Sequence, residues 1–186
     1  MIEISQSDVR AVESMLSDIQ NGATKAMVTA INKTVVTTKV QVKKKLGQKL
    51  NLTAKRINKN LSVKKANYDS IQGAVVSTGK PIGLINFKAT QLKKGVKAQV
   101  LKSSSRQLIE HAFIATSKGA KNVWWRKKLP SGKLVGRLPI ERLTGPRIED
   151  IMGEDGFLRA ANEDASELLV NNLSIKVDEI LRRHHG

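Results

Sequence analysis

The chain has 186 residues, a formal net charge of +17, 40% apolar residues and only 3% aromatics. It contains no cysteine, which excludes disulfides, thiolate metal sites and cysteine nucleophiles and permits an intracellular life. No run of about 18 apolar residues is present, so no segment is expected to span a membrane. The opening Met1-Ile2-Glu3-Ile4-Ser5 lacks the basic start and apolar stretch of a secretory signal.

The charge is unevenly placed. Gly22 to Ile148 holds 28 Lys or Arg and only three acids, Asp69, Glu110 and Glu141, whereas residues 1–21 and 149–186 are each net acidic. A basic middle between acidic ends calls for a polyanion or an acidic protein surface as partner. It also allows copies of the chain to dock base against acid. A chain of this length buries roughly two thirds of its unfolded surface, so a single domain over 1–186 is expected. Scarce aromatics predict a core of Val, Ile, Leu and Ala, and argue against an RNA platform built from several stacking rings.

In chain order, residues 7–20 predict a short amphipathic helix. Ser7 is its cap, and Val12, Met15, Leu16 and Ile19 form its stripe. Asn21-Gly22 breaks it. A longer helix follows over about 23–46, with Met27, Ile31, Val35, Thr38, Val42 and Leu46 inward and Gly47 as C-cap, although the β-branched run Thr34–Thr38 also suits a strand. A third helix fits 54–60, capped by Thr53, with Ile57 and Leu61 facing inward.

Strand-like pieces follow at about 62–66, 71–78, 96–102, 112–116 and 122–127, with turns at Gly79-Lys80-Pro81 and Lys93-Lys94-Gly95. Leu129–Gly153 carries three of the four prolines and reads as an ordered but irregular arm. A last helix runs from near Gly156 to near Arg183 on a seam of Leu158, Ala161, Ala165, Leu169, Leu173, Val177 and Ile180.

The expected fold is α+β: N-terminal helices, a central mainly antiparallel β-sheet, and a long C-terminal helix packed on it. Within the single domain, 1–66 is a helical part with the basic stretch and 67–128 is strand-rich. Residues 129–153 are the arm and 154–186 the closing helix.

The inventory offers no catalytic constellation. Of the three histidines, His111 reads as a half-buried packing residue, and His184 and His185 fall at the C-terminus. Gly73 to Gly79-Lys80 has five intervening residues where a phosphate loop needs four, and Pro81 stands where that loop needs a hydroxyl. No enzyme activity, cofactor or metal site is expected.

The positive signal is Lys43, Lys44, Lys45, Lys49, Lys55, Arg56, Lys59, Lys64 and Lys65. No acid interrupts residues 21–68, whereas an ordinary solvated surface intersperses its signs. These residues are the candidates for contact with nucleic acid or an acidic partner. Sequence-specific base reading is not expected, because no DNA-reading motif is present. Trp124-Trp125 on one strand would point to opposite faces, one ring entering the core and the other, Trp125, meeting a subunit.

The order of segments resembles the tailed-bacteriophage minor tail protein Z family, also called tail completion proteins. The resemblance runs from about Ala23 to Arg183. It is carried by Ala30-Ile31-Asn32-Lys33-Thr34, Leu52-Thr53-Ala54-Lys55-Arg56-Ile57, Ala112-Phe113-Ile114-Ala115, Val123 to Arg126, Leu138-Pro139-Ile140 and Leu143-Thr144-Gly145-Pro146.

The resemblance implies a structural, non-enzymatic role at the head-proximal end of a finished tail, making it competent for head–tail joining. The implied partners are tail-tube, terminator and head-completion proteins, the DNA end, and further copies in a ring matching the tube's six-fold symmetry. The place is the virion tail or neck, and the host cytoplasm during assembly. Trp125, Leu138, Pro139, Ile140, Gly145 and Pro146 are the candidate subunit contacts. The alternative is a free basic nucleic-acid-binding protein, associated with the nucleoid or RNA.

Overall fold

The computed structural model describes residues 4–117, 119–126, 140–154 and 156–185. The chain separates into two compact units.

The first unit comprises residues up to 42, 61–78 and 152 onward. It contains α1 (Gln6–Met15), most of α2 (Gly22–Lys49), the hairpin of β1 (Leu61–Lys64) and β2 (Ala74–Ser77), and α5 (Phe157–His185). Its core is Val12, Leu16, Ala26, Met27, Ala30, Ile31, Val35, Ala66, Ala165, Leu169, Leu173 and Val177, with Val63 and Val75 of the hairpin packed against it. The long C-terminal helix therefore shares one core with α2, α1 and the antiparallel β1–β2 pair.

Asn32 on α2 ties down the chain after β1. Its Nδ2 donates to Ala66 O at 3.0 Å and its Oδ1 accepts from Ala66 N at 2.8 Å. Before β2, Gly73 lies so close to Ile31 and Val35 that a Cβ there would sit 2.6 and 2.5 Å from their methyl groups.

The second unit comprises residues 43–60 and 79–151. It holds the end of α2, α3 (Ala54–Asn60), β3 (Ile82–Gly83), a 3₁₀ turn at Leu84–Asn86, β4 (Thr90–Leu92), β5 (Gly95–Ala98), β6 (Gln107–Glu110), β7 (Phe113–Ser117), β8 (Ala120–Arg126), β9 (Ile140–Arg142), β10 (Thr144–Gly145) and α4 (Ile148–Met152). Its sheets run β10–β3, β4–β5–β6 and β7–β8–β9, all antiparallel. Leu46, Leu50, Ile57, Ile82, Phe87, Val96, Val123 and Ile148 are fully buried.

The α+β arrangement with antiparallel pairing holds, and the differences are local. Ser5, not Ser7, caps α1, its Oγ accepting from Asp8 N at 3.2 Å. α1 stops at Met15, and Met15 is 61% exposed rather than inward. Leu158, placed on the seam of α5, is also exposed, and Phe157 is buried beside it.

α2 runs through Gly47 to Lys49. It ends where Leu50 bridges Leu101 and Asn51 N donates to Val100 O at 2.9 Å, so competing sheet-type bonds stop it rather than a glycine cap. The single central sheet expected is instead several small ones. Of the proposed arm, residues 129–139 lie outside the described residues, while 140–152 form β9, β10 and α4 and are regular rather than irregular.

Candidate partner-binding surface

Helical geometry decides which of the basic side chains face outward. Residues two apart on a helix are separated by about 200°, so Lys44 points away from the buried Leu46 while Lys43 and Lys45 flank it. Lys44 is accordingly exposed, and Lys43 and Lys45 are half-buried. On α3, Lys55 and Lys59 each lie two residues from the fully buried Ile57, and both are exposed. They share one face, four residues apart. Lys49 is exposed at the end of α2. All of these belong to the second unit. Lys64 and Lys65 belong to the first, where both are exposed at the end of β1.

Arg56 is the exception. It is half-buried, and its guanidinium donates to Asn60 Oδ1 at 2.9 Å. Asn60 is 2% exposed and donates in turn to Lys80 O at 3.3 Å. This chain of bonds holds α3 to the turn before β3, so Arg56 acts in the fold as well as on the surface.

Among the opposite charges, part is used within α5. Arg159 pairs with Glu163 at 3.0 Å, and Glu179 receives Lys176 at 2.9 Å and Arg183 at 2.6 Å. The hydrogen bond from Lys176, reinforced by the charges of Arg183, Lys176 and Lys25, holds the Glu179 carboxyl below its ordinary value. Glu167 and Asp178 are exposed and form no ion pair among the described residues.

Of the candidate subunit contacts, Leu138 and Pro139 lie outside the described residues. Trp125 and Trp124 are both half-buried, so neither ring fills the core. Each indole is committed within its own sheet. Trp124 Nε1 donates to Ala115 O at 3.0 Å and Trp125 Nε1 to Glu141 Oε2 at 3.2 Å. The fully buried residue of this strand is Val123. Ile140 and Pro146 are half-buried, and Gly145 backs onto the buried ring of Phe87.

His111, read as packing, is instead exposed and holds a left-handed backbone at φ 61°. Nothing in the sequence joins Lys93-Lys94 to Arg126, because no local signal links residues this far apart in the chain. The β4–β5 turn and the end of β8 bring them together around one cleft.

Among the described residues no group of His, Asp or Glu is arranged to hold a metal, and no helix is long and apolar enough to cross a membrane. The arrangement is that of a basic α+β protein whose distinctive chemistry is surface charge. The family model of prophage minor tail protein Z (GPZ) matches residues 9–185, and the chain belongs to that family of phage tail structural proteins. No curated protein and no solved structure matches it.

Proposed function

We propose that this minor tail protein completes the tail at its head-proximal end, making it competent to join a filled head and meeting either the DNA end or acidic neighbours in the neck. Membership of the minor tail protein Z family over nearly the whole chain carries this reading.

The charge distribution supports the finer part. Several copies around a tail tube would bring basic regions together, and these need compensating charge from DNA, from neck proteins or from the acidic ends of adjacent copies. A closed ring requires one patch to meet a different patch. Outward Lys44, Lys55 and Lys59 on one unit, and exposed Glu167 and Asp178 on the other, supply opposite signs on a single chain. Protein contacts and charge, without bond-making chemistry, are the mechanism in this reading.

Peptide quantification by mass spectrometry on gradient-purified particles and separated tails tests it. A few copies per particle, near the six of the tube's symmetry and confined to the tail or neck fraction, are expected. Absence from particles, with the protein sedimenting with nucleoid or ribosomes, overturns it in favour of a free nucleic-acid binder.

A further inference from the structure

In the second unit, an open cleft of about 620 Å³ is lined by Gln91, Lys93, Lys94, Gly95, Glu110, His111, Ala112, Phe113 and Arg126. Its shape comes from a tightly seated turn. Gly95 at the start of β5 lies so close to the Ile109 carbonyl that no Cβ fits, and the turn is pinned further by His111 N donating to Lys94 O at 3.1 Å. Gln91 fastens the floor: its Nε2 donates to Leu92 O at 2.9 Å and Gly95 O at 3.0 Å, and its Oε1 accepts from Ile114 N at 2.7 Å. At the end of β8, the Arg126 guanidinium lies 5.4 Å from the centre of the Phe113 ring, which limits where its charge can be.

The cleft therefore presents Lys93, Lys94 and Arg126 against one carboxylate, Glu110. Among the described residues none of the three cations is in an ion pair. Three such cations around a concave surface create a focused positive potential. The left-handed His111 in the same wall is a costly backbone state for a residue with a Cβ, held here by the turn it closes.

We infer that this cleft binds the phosphodiester backbone of DNA, with Lys93, Lys94 and Arg126 meeting the phosphates. A small phosphate would need donors converging on one point; Lys93 and Lys94 on the β4–β5 turn and Arg126 at the end of β8 come from separate elements around one open cleft, which fits a chain of charges. The floor offers half-buried Phe113 and buried Ala112, with no row of base-edge donors and acceptors, so the cleft reads backbone and not sequence. The inference rests on the proposed role at the neck and deepens it by naming where the DNA end is held.

The test is fluorescence anisotropy of the full chain with a labelled duplex oligonucleotide at about 50 to 200 mM salt. Lys93→Gln/Lys94→Gln/Arg126→Gln is compared with Lys97→Gln/Lys102→Gln/Lys121→Gln, which removes the same charge from exposed positions outside the cleft. Each phosphate no longer neutralised lowers the salt slope by about 0.9 log units. The cleft variant should therefore show a slope shallower by roughly 1 to 3 and bind at least tenfold more weakly, with the control little changed. Lys93→Glu/Lys94→Glu keeps Arg126 on Phe113 and should weaken binding further, which guards against a folding defect in the triple variant.

Equal weakening in both triple variants, or none in either, would overturn the cleft. So would intact DNA binding with abolished self-association, which would give the cleft to an acidic protein surface. Particle quantification stands apart: a protein found in tails whose cleft fails this assay keeps its proposed function and loses only this site.

Discussion

Asn172 on α5 donates through Nδ2 to Thr34 Oγ1 on α2 at 3.0 Å, joining residues 138 positions apart inside the first unit. Both are buried, Thr34 completely. A polar pair shut off from water is stable only while both partners are present. Thr34→Val or Asn172→Leu alone should each lower stability by about 1–3 kcal/mol, because the remaining group is left without its bond. The double variant should lose clearly less than the sum. Denaturant midpoints for the four proteins check this; additive losses would mean that the pair is not coupled.

Arg56 and its lysine neighbours should separate into two classes. Arg56 supports Asn60, whose own bond reaches the turn before β3. Arg56→Gln should therefore cost about 1.5–3 kcal/mol, the range for hydrogen bonds to charged groups. Lys44, Lys55 and Lys59 are exposed, and replacing all three with Gln should leave thermal stability near wild type while lowering the yield of joined particles. Melting curves beside particle titres distinguish the classes. A triple variant that unfolds, or one that assembles normally, removes these lysines from the partner-binding surface.

The helices were readable because their inward positions recur at helical spacing. Met27, Ile31, Val35, Thr38, Val42 and Leu46 are all buried on α2, and the β-branched run Thr34–Thr38 stays helical because packing at Thr34 and Val35 outweighs local preference. Strand positions were readable where a piece was several residues long, as in β8. The two- and three-residue strands β3, β9 and β10 leave no periodic trace to read. Their pairing with distant partners, such as Gly145 with Ile82, is a tertiary fact.

The candidate surface divides the same way. Its sign was plain from composition, but the burial of Arg56 against Asn60 and the meeting of Lys93-Lys94 with Arg126 depend on the folded chain. The left-handed backbone at His111 has only a weak signature in residue type: histidine is enriched in that region over most residues with a Cβ, but a lone histidine does not mark a turn as glycine does.

Gly145 tests whether a residue named for subunit contact is needed first inside the subunit. A Cβ at this position would run into the Phe87 ring, which is completely buried. Gly145→Ala should cost about 1–3 kcal/mol as overpacking in the isolated chain. Chemical denaturation of the purified protein at low concentration gives the value. Normal stability with defective assembly would return Gly145 to the interface.

Glu179 gives the chain a defined acid sensitivity. Its carboxyl is held below the ordinary 4.5 by the hydrogen bond from Lys176 and by the charges of Arg183, Lys176 and Lys25. A depressed carboxylate value means that the folded state favours the charged form more than the unfolded chain does. The stabilisation is therefore complete above about 4.5 and is lost as pH falls through the lower, folded value. Glu179→Gln should melt below wild type at neutral pH, and the gap should close as both are taken below pH 4.5 toward full protonation. The side chain is 39% exposed, so added salt should shrink the neutral-pH gap as well. A gap that stays constant across the acid range would assign the effect of the substitution to packing on α5 and not to the ion pairs with Lys176 and Arg183.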